Sequence, residues 1–135
     1  MSEVGQLPRA DALLLDTHVF VWWADGDLAR VSPGARAAIA AAPTVFVSLA
    51  SAWELNIKTT LRKLRLGVTF SYALDVNRFA PLPITLDHVD QIAAMPMHHR
   101  DPFDRMLVAQ ALHEGLTLVT HDKVLGAYAV PIIWS

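Results

Sequence analysis

A chain of 135 residues can bury one sizeable core but is too short for a two-domain enzyme. Eleven basic residues against thirteen acidic ones leave a formal charge of −2, so no global positive field draws in a polyanion and any nucleic-acid contact must be a local patch. The absence of cysteine removes disulfides, thiol nucleophiles and Cys-based zinc or iron–sulfur sites, while the 53% apolar share leaves some surplus for subunit contact.

Residues 1–11 read as a flexible lead-in. Glu3, Gly5, Pro8 and Asp11 interrupt them, with neither the basic head nor the apolar centre of a secretory signal. The remainder, 12–135, reads as a single domain. Leu13-Leu14-Leu15 is a short continuous apolar run, as expected of a buried strand, and it stops at Asp16. A short helix over Val19–Ala24 follows, halted by Asp25-Gly26-Asp27. Asp16 and His18 break up the apolar stretch around it, so no segment reaches the ~18 apolar residues of a membrane span. Ser32 and Pro33 supply an N-cap and a first-turn proline for a helix over 35–42, which Pro43 ends.

Thr44–Val47 is β-branched and aromatic, a second strand, and Ser48 can cap the longest predicted helix, roughly 49–64. Leu49, Trp53, Ile57, Leu61 and Leu64 recur along it at spacings of four and three, a stripe expected to face the core. Glu54, Lys58 and Arg62 form a polar stripe beside it. Further along, Tyr72–Phe79 is expected as helix, Leu82-Pro83-Ile84 as an edge-like extended piece, and Thr85 as the cap of a helix through Ala94. After a loop over 96–100, Pro102–Glu114 reads as a helix ended by Gly115. Leu116–Val119 and Pro131–Trp134 read as the last strands. Strands alternating with helices predict an α/β fold, three layers with a mainly parallel central sheet, whose ligands gather at the carboxyl ends of the strands.

The six glycines are scattered, so neither a dinucleotide-binding turn nor a P-loop can be written. The acids are more informative. Asp16 follows the first strand, Asp122 follows the strand at 116–119, and Asp104 lies in the first turn of the helix feeding that strand. Each has an ordinary explanation: Asp16 as a helix cap, Asp101 and Asp104 as cap and dipole partner, Asp122 as a turn residue, Glu54 with Lys58 as an i,i+4 ion pair. Together they argue otherwise. A parallel sheet gathers such carboxylates, and their mutual repulsion calls for a cation. Oxygen ligands without cysteine or zinc-spaced histidines favour Mg²⁺ or Mn²⁺, and a polarised water on such an ion attacks phosphodiesters.

Four segments carry a resemblance to a known family: Leu13 to His18; Ser48 to Lys58 with Trp53-Glu54-Leu55; Asp101-Pro102-Phe103-Asp104-Arg105 with Ala109-Gln110-Ala111; and Leu118 to Asp122. Over nearly its whole length the chain resembles the PIN-domain ribonucleases, and within them the VapC-type toxins of toxin–antitoxin pairs. The resemblance implies a metal site of Asp16, Glu54, Asp104 and Asp122, with Thr120 as the hydroxyl beside the last and Asp101 as a supporting acid. It also implies an RNA substrate, a VapB-type antitoxin and a homodimer; a cytoplasmic location is expected from the missing signal pattern. Arg62 departs from the pattern, because glycine is more usual before the Lys63-Leu64 pair. Lys58, Arg62, Lys63 and Arg65, with Arg105 and Arg100, are expected to rim the site and hold RNA phosphates. His98 and His99 are expected as solvated loop residues, and Trp22, Trp23 and Trp53 as core or dimer surface. Rival readings fit less well: a receiver-like phospho-acceptor wants further acids near the end of the first strand and a late lysine that cannot be assembled here. An aspartyl-phosphate phosphatase wants a second aspartate where His18 stands; an inactive PIN-like module would bind RNA or protein without cleavage.

Overall fold

The structure, a computed structural model, describes residues 12–135; the expected lead-in over 1–11 lies outside the described residues. Five parallel strands form one sheet in the order β3-β2-β1-β4-β5, where β1 is Ala12–Leu15, β2 Thr44–Ser48, β3 Ala80–Leu82, β4 Thr117–Thr120 and β5 Ile132–Trp134. The helices α1 (Thr17–Ala24), α2 (Pro33–Ala41), α3 (Leu49–Thr60), α4 (Phe70–Asn77), α5 (Leu86–Ala94) and α6 (Pro102–Glu114) fill the crossovers. The α/β architecture expected from the alternation is the one observed. No described helix is long and apolar enough to cross a membrane.

β1 lies at the centre, so both its faces are covered and all three leucines are fully buried. Side chains alternate across a strand. Leu13 and Leu15 accordingly join Val19, Phe20, Ile39 and Phe79 in one core layer, while Leu14 joins Leu107, Val108, Leu118 and Tyr128 in the other. At roughly 1.5–3 kcal/mol per fully buried aliphatic side chain, this central strand anchors both layers. Pro81 sits in β3, at the sheet edge, where a missing N–H costs no ladder bond. Gln110 is fully buried in α6 and donates through Nε2 to the Pro83 carbonyl at 3.3 Å, tying α6 to the segment between β3 and α5.

Local signals set most boundaries. Ser48, Thr69, Thr85 and Asp101 each cap the helix that follows, and Gly115 closes α6 in the left-handed region at φ 69°. Two expectations for α3 require correction. It stops at Thr60 instead of continuing to Leu64, and Arg62 then adopts φ 58°, a left-handed conformation that favours glycine. The stripe Leu49, Trp53, Ile57 and Leu61 faces outward, with Trp53 62% exposed, whereas Glu54 is only 3% exposed and lies with Ala50, Ser51 and Leu55 on the inner side. Polar partners decide this rotation: Glu54 has hydrogen-bond donors waiting inside, which satisfies a carboxylate that burial would otherwise penalise.

Candidate active site

Strand order reverses between β1 and β4, because one connection from the centre of the sheet runs to β2 and the other side is reached only through β4. A crevice opens at such a switch point beyond the carboxyl ends of the strands. Asp16 enters it from β1, and Thr120 and Asp122 from β4. The backbone N–H of Asp16 bonds the Val119 carbonyl at 2.9 Å, which pins the two strand ends together. Asp16, Glu54, Lys58, Asp101, Asp104 and Asp122 line one pocket of about 140 Å³ with His18 and His121.

Each carboxylate is held by its own element. Asp16 caps α1 through Oδ1, accepting from the Val19 N–H at 2.8 Å, and its Oδ2 accepts from the Thr120 hydroxyl. The capping explanation and the pocket position therefore coexist in one side chain. Glu54 Oε1 accepts from the Thr17 hydroxyl at 2.6 Å, and that hydroxyl also lies 2.8 Å from Ser51 Oγ. Glu54 Oε2 meets Lys58 Nζ at 2.6 Å, an ion pair that is partly buried instead of solvated. Asp101 Oδ1 accepts from the N–H groups of Phe103 and Asp104 at 2.8 and 3.0 Å, so its oxygen is spent on capping α6. Thr120 Oγ1 also accepts from the Asp122 N–H at 3.1 Å, while Asp122 Oδ1 accepts from the Val124 N–H at 3.0 Å.

The electrostatics follow from five carboxylates sharing the pocket wall with one lysine. Burial, then repulsion from Asp101 and Asp16, pushes the Asp104 carboxyl up to about 7. For Asp122, burial works upward, but the hydrogen bonds from His99 and the Val124 N–H outweigh it and leave the carboxyl below its ordinary value. Lys58 is also partly buried, which acts downward, yet the Glu54 partner raises its pKa overall. On the rim, the Asp16 carboxylate, 3.6 Å from His121 Nδ1, raises His121, while burial lowers His18. Their rings contact each other and Trp22 at centroid distances of 5.0–5.7 Å. A surplus of buried negative charge on oxygen donors suits a hard divalent cation, which would discharge the repulsion that Asp104 registers.

The basic residues divide. Lys58 reaches the pocket, whereas Arg62, Lys63 and Arg65 line a separate depression with Thr59 and Leu64. Arg62 lies beyond the end of α3, two residues past Thr60. Arg105, expected to hold RNA, is occupied elsewhere. Its guanidinium donates to the carbonyls of Ile92 and Met95 at 3.3 and 3.2 Å and so caps the carboxyl end of α5, where a cation complements the helix dipole. His99, expected to be solvated, is instead packed against the acids. Its Nε2 lies 2.9 Å from Asp122 Oδ2 and 3.3 Å from Asp104 Oδ2, and these three residues bring ligand-type atoms within 4.8 Å of one another. The only hint of this in the sequence was position, two residues before the cap of α6.

A family model described as PIN domain matches residues 13–131. Ribonuclease VapC22 of Mycobacterium tuberculosis is 30% identical over 122 residues, which is 88% of this chain and 93% of that protein. Two solved structures share the fold. VapBC2 from Rickettsia felis, bound to a DNA fragment from its promoter, aligns with a TM-score of 0.69 at 14% identity, covering 91% of this chain and 98% of the other. VapBC-5 from Mycobacterium tuberculosis, a member of the VapBC family of toxin–antitoxin systems, aligns with a TM-score of 0.57 at 19% identity, covering 92% and 97%.

Proposed function

The chain belongs to the PIN domain family, and from that premise we propose that it is a divalent-metal-dependent endoribonuclease, the toxin of a toxin–antitoxin pair. The observation that carries this reading is the convergence of Asp16, Glu54, Asp104 and Asp122 on one pocket at the sheet's switch point. Asp16 and Asp104 are assigned as the principal ligands of Mg²⁺ or Mn²⁺, with Glu54 and Asp122 completing the set. Thr120 holds Asp16, and Asp101 shapes the turn that presents Asp104.

A cation held there supplies charge neutralisation at the scissile phosphate and a water acidified enough to act as nucleophile near neutral pH. The chain's own side chains do the rest. Thr17 and Ser51 keep Glu54 oriented, and Lys58 lies beside it at the pocket wall, where its ammonium can meet a non-bridging phosphate oxygen. Hydrolysis adds the water oxygen to phosphorus, breaks the bond to the 3′ oxygen and leaves a 5′-phosphate and a 3′-hydroxyl. Arg62, Lys63 and Arg65 lie farther along the surface and hold neighbouring phosphates, which position the strand without reading its sequence. A VapB-type antitoxin as partner is supported by the relatives' descriptions as toxin–antitoxin complexes. A homodimer is supported by the exposed apolar stripe of α3.

The test is cleavage of a defined RNA panel with and without Mg²⁺. Asp16→Asn and Asp104→Asn each lose Mg²⁺-dependent cleavage while circular dichroism and the unfolding transition show a folded protein. Full activity in either variant refutes the assignment, and a wild-type protein that binds no Mn²⁺ and cuts no RNA returns the chain to the inactive-module reading.

A further inference from the structure

His99 sits in the loop between α5 and α6, behind the wall formed by Asp104 and Asp122. Its ring makes contacts at both nitrogens. Nδ1 accepts from the backbone N–H of Asp101 at 3.0 Å. A backbone N–H can only donate, so Nδ1 carries no proton, and the ring is the neutral tautomer with its proton on Nε2. That single N–H faces Asp122 Oδ2 at 2.9 Å and Asp104 Oδ2 at 3.3 Å.

The loop is itself anchored. The Tyr128 hydroxyl accepts from the backbone N–H groups of both His98 and His99, at 3.2 and 3.0 Å, and the His98 ring stands edge-on to the Tyr128 ring at 5.0 Å. Tyr128 is buried in the core and follows the short 3-10 turn Lys123–Ala127, whose N-cap is Asp122. The loop is thus tied to that turn at both ends: at Asp122 through the His99 ring, and at Tyr128 through the backbone.

Resting on the nuclease reading above, we infer that His99 is a positioning residue that clamps the Asp104 and Asp122 carboxylates into a shared, metal-ready geometry through its Nε2–H, with Tyr128 holding the clamp in place. The imidazole faces the carboxylates as a hydrogen-bond donor, not with a lone pair, so it orients ligands instead of serving as one. Asp122 takes the hydrogen bond itself, and Asp104, 3.3 Å from the same nitrogen, is drawn by the positive end of that N–H, so two carboxylates that would repel each other are held about one donor. Donors of this kind behind a metal ligand fix its orientation, and removing them typically lowers metal affinity or activity about 10–100-fold.

The experiment titrates Mn²⁺ calorimetrically into the full chain without RNA, for wild type, His99→Ala, His99→Gln and Tyr128→Phe, alongside RNA cleavage and ¹⁵N-histidine NMR with Mg²⁺. His99→Ala weakens Mn²⁺ binding about 10–100-fold and lowers kcat with KM for RNA unchanged. His99→Gln, whose amide supplies a replacement N–H, recovers most of the loss, and Tyr128→Phe gives a smaller loss of the same sign. In the wild type, NMR shows the proton on Nε2 both before and after Mg²⁺ addition. Wild-type Mn²⁺ affinity in His99→Ala overturns the inference, as does loss of the Nε2 proton on Mg²⁺ addition, which would make His99 a ligand. The wild-type NMR and Tyr128→Phe carry the test even if His99→Ala folds poorly. If wild type binds Mn²⁺ and cleaves RNA but His99→Ala does the same, only the clamp falls. If wild type does neither, the nuclease reading falls with it.

Discussion

Asp104 concentrates the electrostatic conflict of the pocket in one side chain. Its folded carboxyl titrates at about 7 against an ordinary value of 3.8, so between those limits the folded state binds more protons than the unfolded chain. Stability contributed by this group is therefore fully present below pH ~4, declines as pH rises toward ~7 and stays low above it. His121, raised by Asp16, adds a decline at higher pH, and His18, lowered by burial, acts in the opposite direction. Asp122 is shifted downward, so its contribution changes only in more acid solution. Thermal unfolding in EDTA should show a midpoint that falls between pH 5 and pH 8. Millimolar Mg²⁺ should reduce that fall, because a cation favours the ionised carboxyl, and Asp104→Asn should flatten it in EDTA. A midpoint independent of pH in wild-type protein would show that the crowding of acids is not felt. Asp16 carries a simpler lesson: the capping role and the pocket role, weighed as alternatives from sequence, use different oxygens of one carboxylate.

Among the elements, α3 departs most from what its sequence suggests, and it does so at both its face and its end. Periodicity located the helix and its cap, Ser48, but the apolar stripe is outside and Glu54 is inside. A hydrophobic stripe states that a surface favours cover; it does not state that the same chain provides it. The early stop puts Arg62 in the left-handed region, where a residue with Cβ is strained by about 1 kcal/mol relative to glycine. Arg62→Gly should relieve that strain, offset in large part by the greater freedom of glycine in the unfolded chain, for a net gain of no more than about 0.5 kcal/mol in urea unfolding. If Arg62 also holds a phosphate, the same variant binds RNA more weakly, and its log–log salt slope falls by roughly 0.7. A stabilised variant with unchanged RNA affinity would leave Arg62 without a part in binding. By contrast, α6 was legible in full, because its start, Asp101-Pro102, and its stop, Gly115, are both local backbone chemistry.

At the scale of the whole molecule, the exposed stripe of α3 is a surface that favours cover. Leu49, Trp53, Ile57 and Leu61 form a ridge at spacing four, and Trp53 stands edge-on to Phe103 of α6 at a ring distance of 5.3 Å. A ridge of this kind can pack on its own symmetry mate across a two-fold axis. Trp53→Glu should convert a homodimer to monomers in light scattering without changing the far-UV spectrum; a dimer that persists would place the interface elsewhere. The α/β alternation, the helix caps and the acidic residues after β1 and β4 were determined by sequence alone, because strand runs, caps and proline or glycine stops depend on neighbours along the chain. Tertiary structure decided which face of α3 turned inward, that Arg105 caps α5, and that His99 stands behind Asp104 and Asp122. Those outcomes depend on which polar partners meet across the fold, from Arg105 with Met95, 10 positions apart, to Glu54 with Thr17, 37 positions apart, and such residues become partners only once the elements have packed.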